Sequence, residues 1–204
     1  MHGVVTRLLV ILAMVSTVGA CAGGPPAAPT TGPPPSAPAA VPSPPPAPTA
    51  GLTGLTHLAA RRIALSDTVA AAKFGTPTPI EDPVREQQVV DAAGAAAARD
   101  GLDPAGTQAF FRDQIEASKV VQRGLFRLWA DRADLRPRAR PGLAAVRPEL
   151  DRIGAEMVTQ LRVTTPARTA ESCPAELSSD AASVGSDALH REALGVALRS
   201  VCRG

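Results

Sequence analysis

The 204-residue chain has no tyrosine, one tryptophan and four phenylalanines, while alanine is abundant. A sandwich or barrel draws on aromatic and β-branched residues, so this composition favours packed helices. Charge is nearly balanced, at a net +2, and no Lys/Arg run is interleaved with aromatics, which argues against a nucleic-acid partner. Internal repeats of solenoid length are missing, as is the strand-glycine-helix pattern of a nucleotide fold. The three histidines, His2, His57 and His190, stand alone, and the three cysteines are far apart, so no metal-ligand spacing exists. The longest apolar run near the start, Leu8 to Val15, is too short for a permanent membrane span.

That run has a different use. With Arg7 before it and small residues after it, residues 1–20 read as an export signal. The signal closes on Val18-Gly19-Ala20-Cys21, which resembles the lipobox of bacterial lipoproteins, where cleavage leaves a lipidated cysteine at the new N-terminus. Membrane attachment is expected only through Cys21; simple cleavage beside a bystander Cys21 is the other outcome. Residues 21–50 hold twelve prolines between Pro25 and Pro48, too many for a packed core, so this stretch reads as a polyproline tether. The globular domain is expected over residues 51–204. An exported chain meets oxidising conditions, so Cys173 and Cys202 are expected to form a disulfide, leaving Cys21 as the odd cysteine.

Helical punctuation then divides the domain. A first amphipathic helix over about 52–74 carries Leu55, Ala59, Arg62, Val69 and Lys73 on one face. Arg62 and Lys73 are eleven residues apart, almost three whole turns, so both cations share that face across roughly 16 Å of axis. Cations aimed at a core need anions, either Asp82 and Glu86 or a dianionic ligand. A Pro-bearing turn at Gly75 to Glu81 reverses the chain. Asp82-Pro83 and Asp103-Pro104 are helix starts, a carboxylate cap followed by proline at the first helical position. The second helix runs to Arg99, where Asp100-Gly101 stops it, and the third to about Asp131. The third helix's seam, Phe111, Ile115, Ser118, Gln122, Leu125 and Trp129, is polar at two adjacent steps in its middle. A fourth helix carries Leu143, Arg147, Leu150, Ile153, Met157 and Leu161, with Arg147 as a third inward cation. Pro148 disfavours helical geometry at Arg147, which leaves open a start at Pro148 with Arg147 on the turn before it. The tail reads as a short helix, Cys173 to Ala182, and a longer one, Asp187 to Cys202.

An inward Arg, a Lys eleven later, the run Ile80-Glu81-Asp82-Pro83-Val84-Arg85-Glu86, then Ser and Gln four apart on a helix: in this order the pattern resembles chorismate mutase. The resemblance is to the all-helical type, and within it to the exported subclass, over about residues 52–203. It implies an all-α multi-helix bundle with a C-terminal helical extension pinned by a disulfide. It also implies a site built within one chain, no cofactor, and rearrangement of chorismate to prephenate. Carried over residue by residue, it points to Arg62, Lys73, Asp82, Arg85, Glu86, Ser118, Gln122 and Arg147 as substrate contacts. Arg62 and Arg147 are expected on the carboxylates with Ser118 assisting, Lys73 and Gln122 on the ether oxygen, and Glu86 on the ring hydroxyl. Some exported members have Glu where this chain has Gln122, which makes their activity more acid-dependent. The resemblance leaves a homodimer open.

Two other readings compete. One is a non-catalytic helical lipoprotein that binds an anionic solute or a partner protein, its inward cations paired internally with Asp82, Glu86 and Asp113. The other is a structural bundle whose polar seam only fixes register.

Overall fold

The computed structural model describes residues 51–203, and among them every regular element is helical. The proposed signal, the tether and Cys21 lie outside the described residues. Seven α-helices follow in order: α1 Thr53–Lys73, α2 Pro83–Arg99, α3 Pro104–Asp131, α4 Leu143–Val163, α5 Thr165–Arg168, α6 Cys173–Ser183 and α7 Ala188–Ala197. Short 3-10 turns at Ala133–Leu135 and Val201–Arg203 complete the described chain. No helix among the described residues is long and apolar enough to cross a membrane.

The capping signals act as the sequence suggests. The Asp82 carboxylate accepts from the amide of Arg85 at 3.1 Å, and Glu86 Oε1 accepts from the amide of Asp82 at 3.0 Å, so the first turn of α2 is closed from both sides. Asp103 caps α3 by accepting from the amides of Ala105 and Gly106. At the end of α2, Gly101 has φ +72°, and the amide of Leu102 reaches back to the carbonyl of Ala97, which ends the helix sharply.

Helix α3 is the central post, packed against α1, α2 and α7, while α1 also packs against α4. Its core residues are therefore on more than one side. Phe111 and Trp129 are buried on the expected seam, but so are Phe110, Gln114, Ala117 and Val121 on a second face. Phe110, Phe111, Ala117 and Val121 meet Leu55, Ala59 and Ile63 of α1, Ile153, Met157 and Leu161 of α4, and Ala193, Leu194 and Ala197 of α7 in one apolar core, while Trp129 packs with Ala70 and Ala71 in a second. A single amphipathic stripe cannot describe a helix covered from several directions. The approach of α3 to α7 is close at Gly124, where a Cβ would fall 2.5 Å from Leu189 Cδ1.

One helix limit left open is settled, and one expected limit needs correction. Helix α4 starts at Leu143, not at Pro148, and Pro148 sits inside it. Gly142, extended at ψ 142°, starts the helix, and buried Val146 anchors its first turns. Pro148 forfeits one amide donor in the second turn, a loss that packing on both sides tolerates. The last helix ends at Ala197 instead of continuing to Cys202, and α6 and α7 are of nearly equal length, 11 and 10 residues. Past Ala197 the chain tightens into three-residue turns, with the amide of Arg199 on Val196 and that of Val201 on Leu198. This folding-back brings Cys202 to Cys173, and the two form the expected disulfide. Buried Arg168, on the unforeseen α5, donates to the carbonyls of Val201 and Leu161, and Glu176 accepts from the amide of Leu52. The tail is thereby tied to the start of α1 and the end of α4.

Candidate active site

All eight side chains predicted to share a site line one cavity of about 530 Å³ between α1, α2, α3 and α4. That volume suits a small organic ligand. The walls are mostly apolar, with Val69, Ile80, Val89, Ile115 and Leu150 among them, and the polar groups converge from four helices.

Helix α1 supplies two cations from its core-facing side, which is why both are buried. Arg62 is 9% exposed and Lys73 8%. Arg62 Nε has no hydrogen-bond partner. Burial lowers its guanidinium to about 10; nearby Asp151 acts to raise it and Arg85 to lower it further. Lys73 closes α1, and its Nζ donates to the carbonyl of Ile80 at 2.9 Å across the Gly75 turn. Burial pushes its ammonium below the usual lysine range, against the charges of Asp82, Glu86 and Glu81.

The opening turn of α2 brings three charges. Arg85 reaches Asp151 of α4 at 3.4 Å. Glu86 Oε2 accepts from Lys119 of α3 at 3.0 Å, while its other oxygen holds the Asp82 amide. On α3, Gln122 Nε2 donates to Ser118 Oγ at 3.1 Å, and Ser66 of α1 donates to the same hydroxyl oxygen at 2.9 Å. Gln122 is 3% exposed, and its Oε1 has no partner. From α4, Arg147 lines the cavity, but it is solvent-exposed and stands at the mouth instead of facing inward. The reason is local: α4 packs its Val146, Ile153, Met157 and Leu161 stripe on the core, and Arg147 borders that stripe.

Ion pairs do not consume the cations. Among the described residues no carboxylate lies within 4.0 Å of Arg62, Lys73 or Arg147. Asp113, a proposed internal partner, faces Arg199 instead. The lining holds five basic side chains (Arg62, Lys73, Arg85, Lys119, Arg147) and three acidic ones (Asp82, Glu86, Asp151), an excess of two positive charges. Three polar lining residues, Gln88, Lys119 and Asp151, escaped the sequence reading, as did Ser66, which bonds to Ser118 from outside the lining. Ser66 is four residues after Arg62 and Asp151 four after Arg147, each on the same helix face as a chosen residue. Lys119 is four after Ile115, whereas the seam steps by three there, to Ser118.

An all-helical bundle with buried, unneutralised cations around a compact cavity is a protein built to hold a small anion of two charges. The family model for type II chorismate mutase matches residues 54–123, a span with seven of the eight predicted side chains; Arg147 follows it. The secreted chorismate mutase of Mycolicibacterium smegmatis is 33% identical over 156 residues, covering 74% of this chain and 86% of that protein. The secreted chorismate mutase of Mycobacterium tuberculosis is 30% identical over 159 residues, covering 76% and 80%. Among solved structures, the chorismate mutase of Burkholderia thailandensis superposes with a TM-score of 0.70 at 38% identity, covering 74% of this chain and 98% of that one. The chain belongs to the chorismate mutase family, in its exported, all-helical branch.

Proposed function

We propose that the chain converts chorismate to prephenate in the cavity between α1, α2, α3 and α4. The observation that carries this reading is the excess of two positive charges around a largely apolar wall, because chorismate is a dianion with a hydrophobic ring. The rearrangement is unimolecular: one C–O bond of the enol ether breaks as one C–C bond forms, and no proton changes hands. A nucleophile, an acid or a base would have nothing to do. What the protein must supply is the compact chair-like conformer and donors for the charge that grows on the ether oxygen.

The roles follow from depth. Buried Arg62 takes one carboxylate, and the ligand gives its orphaned Nε a partner. Arg147, at the mouth, takes the other and closes over it. Ser118 adds a carboxylate contact, and Arg85, held by Asp151, supports the local charge balance. Lys73 meets the ether oxygen together with Gln122. The Gln122 amide turns its Nε2 from Ser118 Oγ toward the ligand to do so, and the single Ser118 hydroxyl proton stays available for the carboxylate. Glu86 accepts the ring hydroxyl beside the Asp82 amide. Lys73 and Gln122 face the atom whose charge changes most, so their contribution falls on the transition state more than on the bound substrate.

Residues 51–204 form the catalytic domain in this reading, residues 1–20 the export signal and residues 21–50 the tether, with Cys21 as a lipid attachment point. Purified protein mixed with chorismate tests the reading. Loss of the substrate's ultraviolet absorbance at a rate far above the uncatalysed one is expected, with no metal or coenzyme added. Absorbance that decays at the uncatalysed rate refutes it.

A further inference from the structure

Lys119 is the one buried cation of the cavity that the mechanism above leaves without a task. It is 8% exposed, in a helix position that could have held a leucine at less desolvation cost. Its Nζ lies 3.0 Å from Glu86 Oε2 and also contacts the carboxylate of Glu116, one turn earlier on α3. Glu86 Oε1 in turn accepts from the Asp82 amide at 3.0 Å. Four groups therefore form a chain: Glu116, Lys119, Glu86 and the capped start of α2. Burial alone would lower the Lys119 ammonium, but its hydrogen bonds to Glu116 and Glu86 outweigh that and hold it above the ordinary lysine value.

We infer that Lys119 is a positioning residue for Glu86. A carboxylate offers about four acceptor sites, and the amide of Asp82 and the ammonium of Lys119 fill two, one on each oxygen. The plane of the carboxylate is thereby fixed, with a free lone pair on each oxygen for an incoming hydroxyl. Without Lys119 the Glu86 side chain regains its rotamers, and ordering it falls on the ligand. A second effect is electrostatic. A bare carboxylate in the wall repels a dianion, and Lys119 cancels that repulsion at the point where the hydroxyl must come close. Glu116 is half exposed, outside the cavity lining, and keeps the lysine stem extended toward α2.

This inference rests on the reading that Glu86 accepts the substrate hydroxyl, and a double-mutant cycle on the full-length protein separates the two. Lys119→Met keeps the apolar stem and removes the charge. It is expected to lower kcat/KM by on the order of 10- to 100-fold, with KM raised and kcat lowered together. Lys119→Arg, which retains a cation in reach of Glu86, is expected to recover most of the loss. In a Glu86→Gln background the same Lys119→Met change is expected to cost less than about threefold, because a residue acting through Glu86 has nothing left to position. Should Lys119→Met unfold the protein, Glu116→Gln tests the outer end of the chain, with a smaller rise in KM expected. Equal losses with and without Glu86 would overturn the inference and make Lys119 a direct ligand contact. An unchanged kcat/KM in a folded Lys119→Met protein would overturn it too. If the unaltered protein fails to turn over chorismate, it is the functional reading that falls.

Discussion

Lys73→Ala separates a catalytic cation from a structural one. In the structure its Nζ is buried, donates to a single carbonyl, that of Ile80 at 2.9 Å, and makes no ion pair among the described residues. Removing one preorganised donor from such a site raises the barrier by about 3 to 4 kcal/mol, and a charged donor in a water-poor cavity belongs at the upper end. The expected loss is therefore about 10³-fold, expressed mainly in kcat, since the contact strengthens as charge moves onto the ether oxygen. Stability should change little. Burial lowers the lysine's pKa, so its charge weighs against the fold, and losing that penalty offsets the small void left by the stem. Turnover is read from the decay of chorismate absorbance, and integrity from far-ultraviolet circular dichroism and the melting temperature. A variant that melts like the parent yet retains turnover within about fivefold would refute the reasoning.

Gln122→Glu should make activity depend on acid: only a protonated carboxyl can donate to the ether oxygen, so the variant is expected to lose kcat/KM as pH rises through the carboxyl range, where the parent does not. In the alkaline direction, Arg62 is held at about 10 and Lys73 below its usual value, so kcat/KM of the parent should fall as pH rises toward and through about 10. The stability sign is opposite. Both folded-state pKa values are depressed, so burial of these charges opposes folding below them, and that cost is relieved as pH climbs through each; urea melts against pH measure it. Cys173→Ser with Cys202→Ser opens a loop whose ends are 29 residues apart. The chain-entropy relation gives a loss of about 3 to 4 kcal/mol, which for a domain this size lowers the melting temperature by about 10 °C.

Much of this was legible because local chemistry and tertiary packing agree. The two Asp-Pro pairs fix helix starts through caps that any surroundings would preserve, and α2 and α3 begin where those pairs stand. The cation spacing on α1 worked because Arg62 and Lys73 lie on a rigid three-turn rod, and one rod cannot aim them at different cavities. Four features were hidden for identifiable reasons. Pro148 carries a local bias against helix, yet the turn before it is held by Val146 in the core, so packing overrode the bias. Arg147 shares the cavity but lies outside the buried stripe of α4, and depth depends on how α4 rolls against α1 and α2, which periodicity does not encode. Lys119 follows Ser118 directly, and a helix in contact with three neighbours offers more than one inward row, so a single seam omitted it. The end of α7 was missed because the disulfide and the Arg168 contacts draw the last residues into turns.

A crystal structure of the protein with a rigid bicyclic dicarboxylate, shaped like the chair conformer, tests most directly whether these side chains form one transition-state cradle. One carboxylate is expected on Arg62 and the other on Arg147, with the bridging oxygen about 2.7 to 3.1 Å from both Lys73 Nζ and Gln122 Nε2, and a ring hydroxyl on Glu86. A ligand seated outside the cavity, or one inside it with Lys73 still bound only to Ile80 and Arg147 turned to solvent, would contradict it.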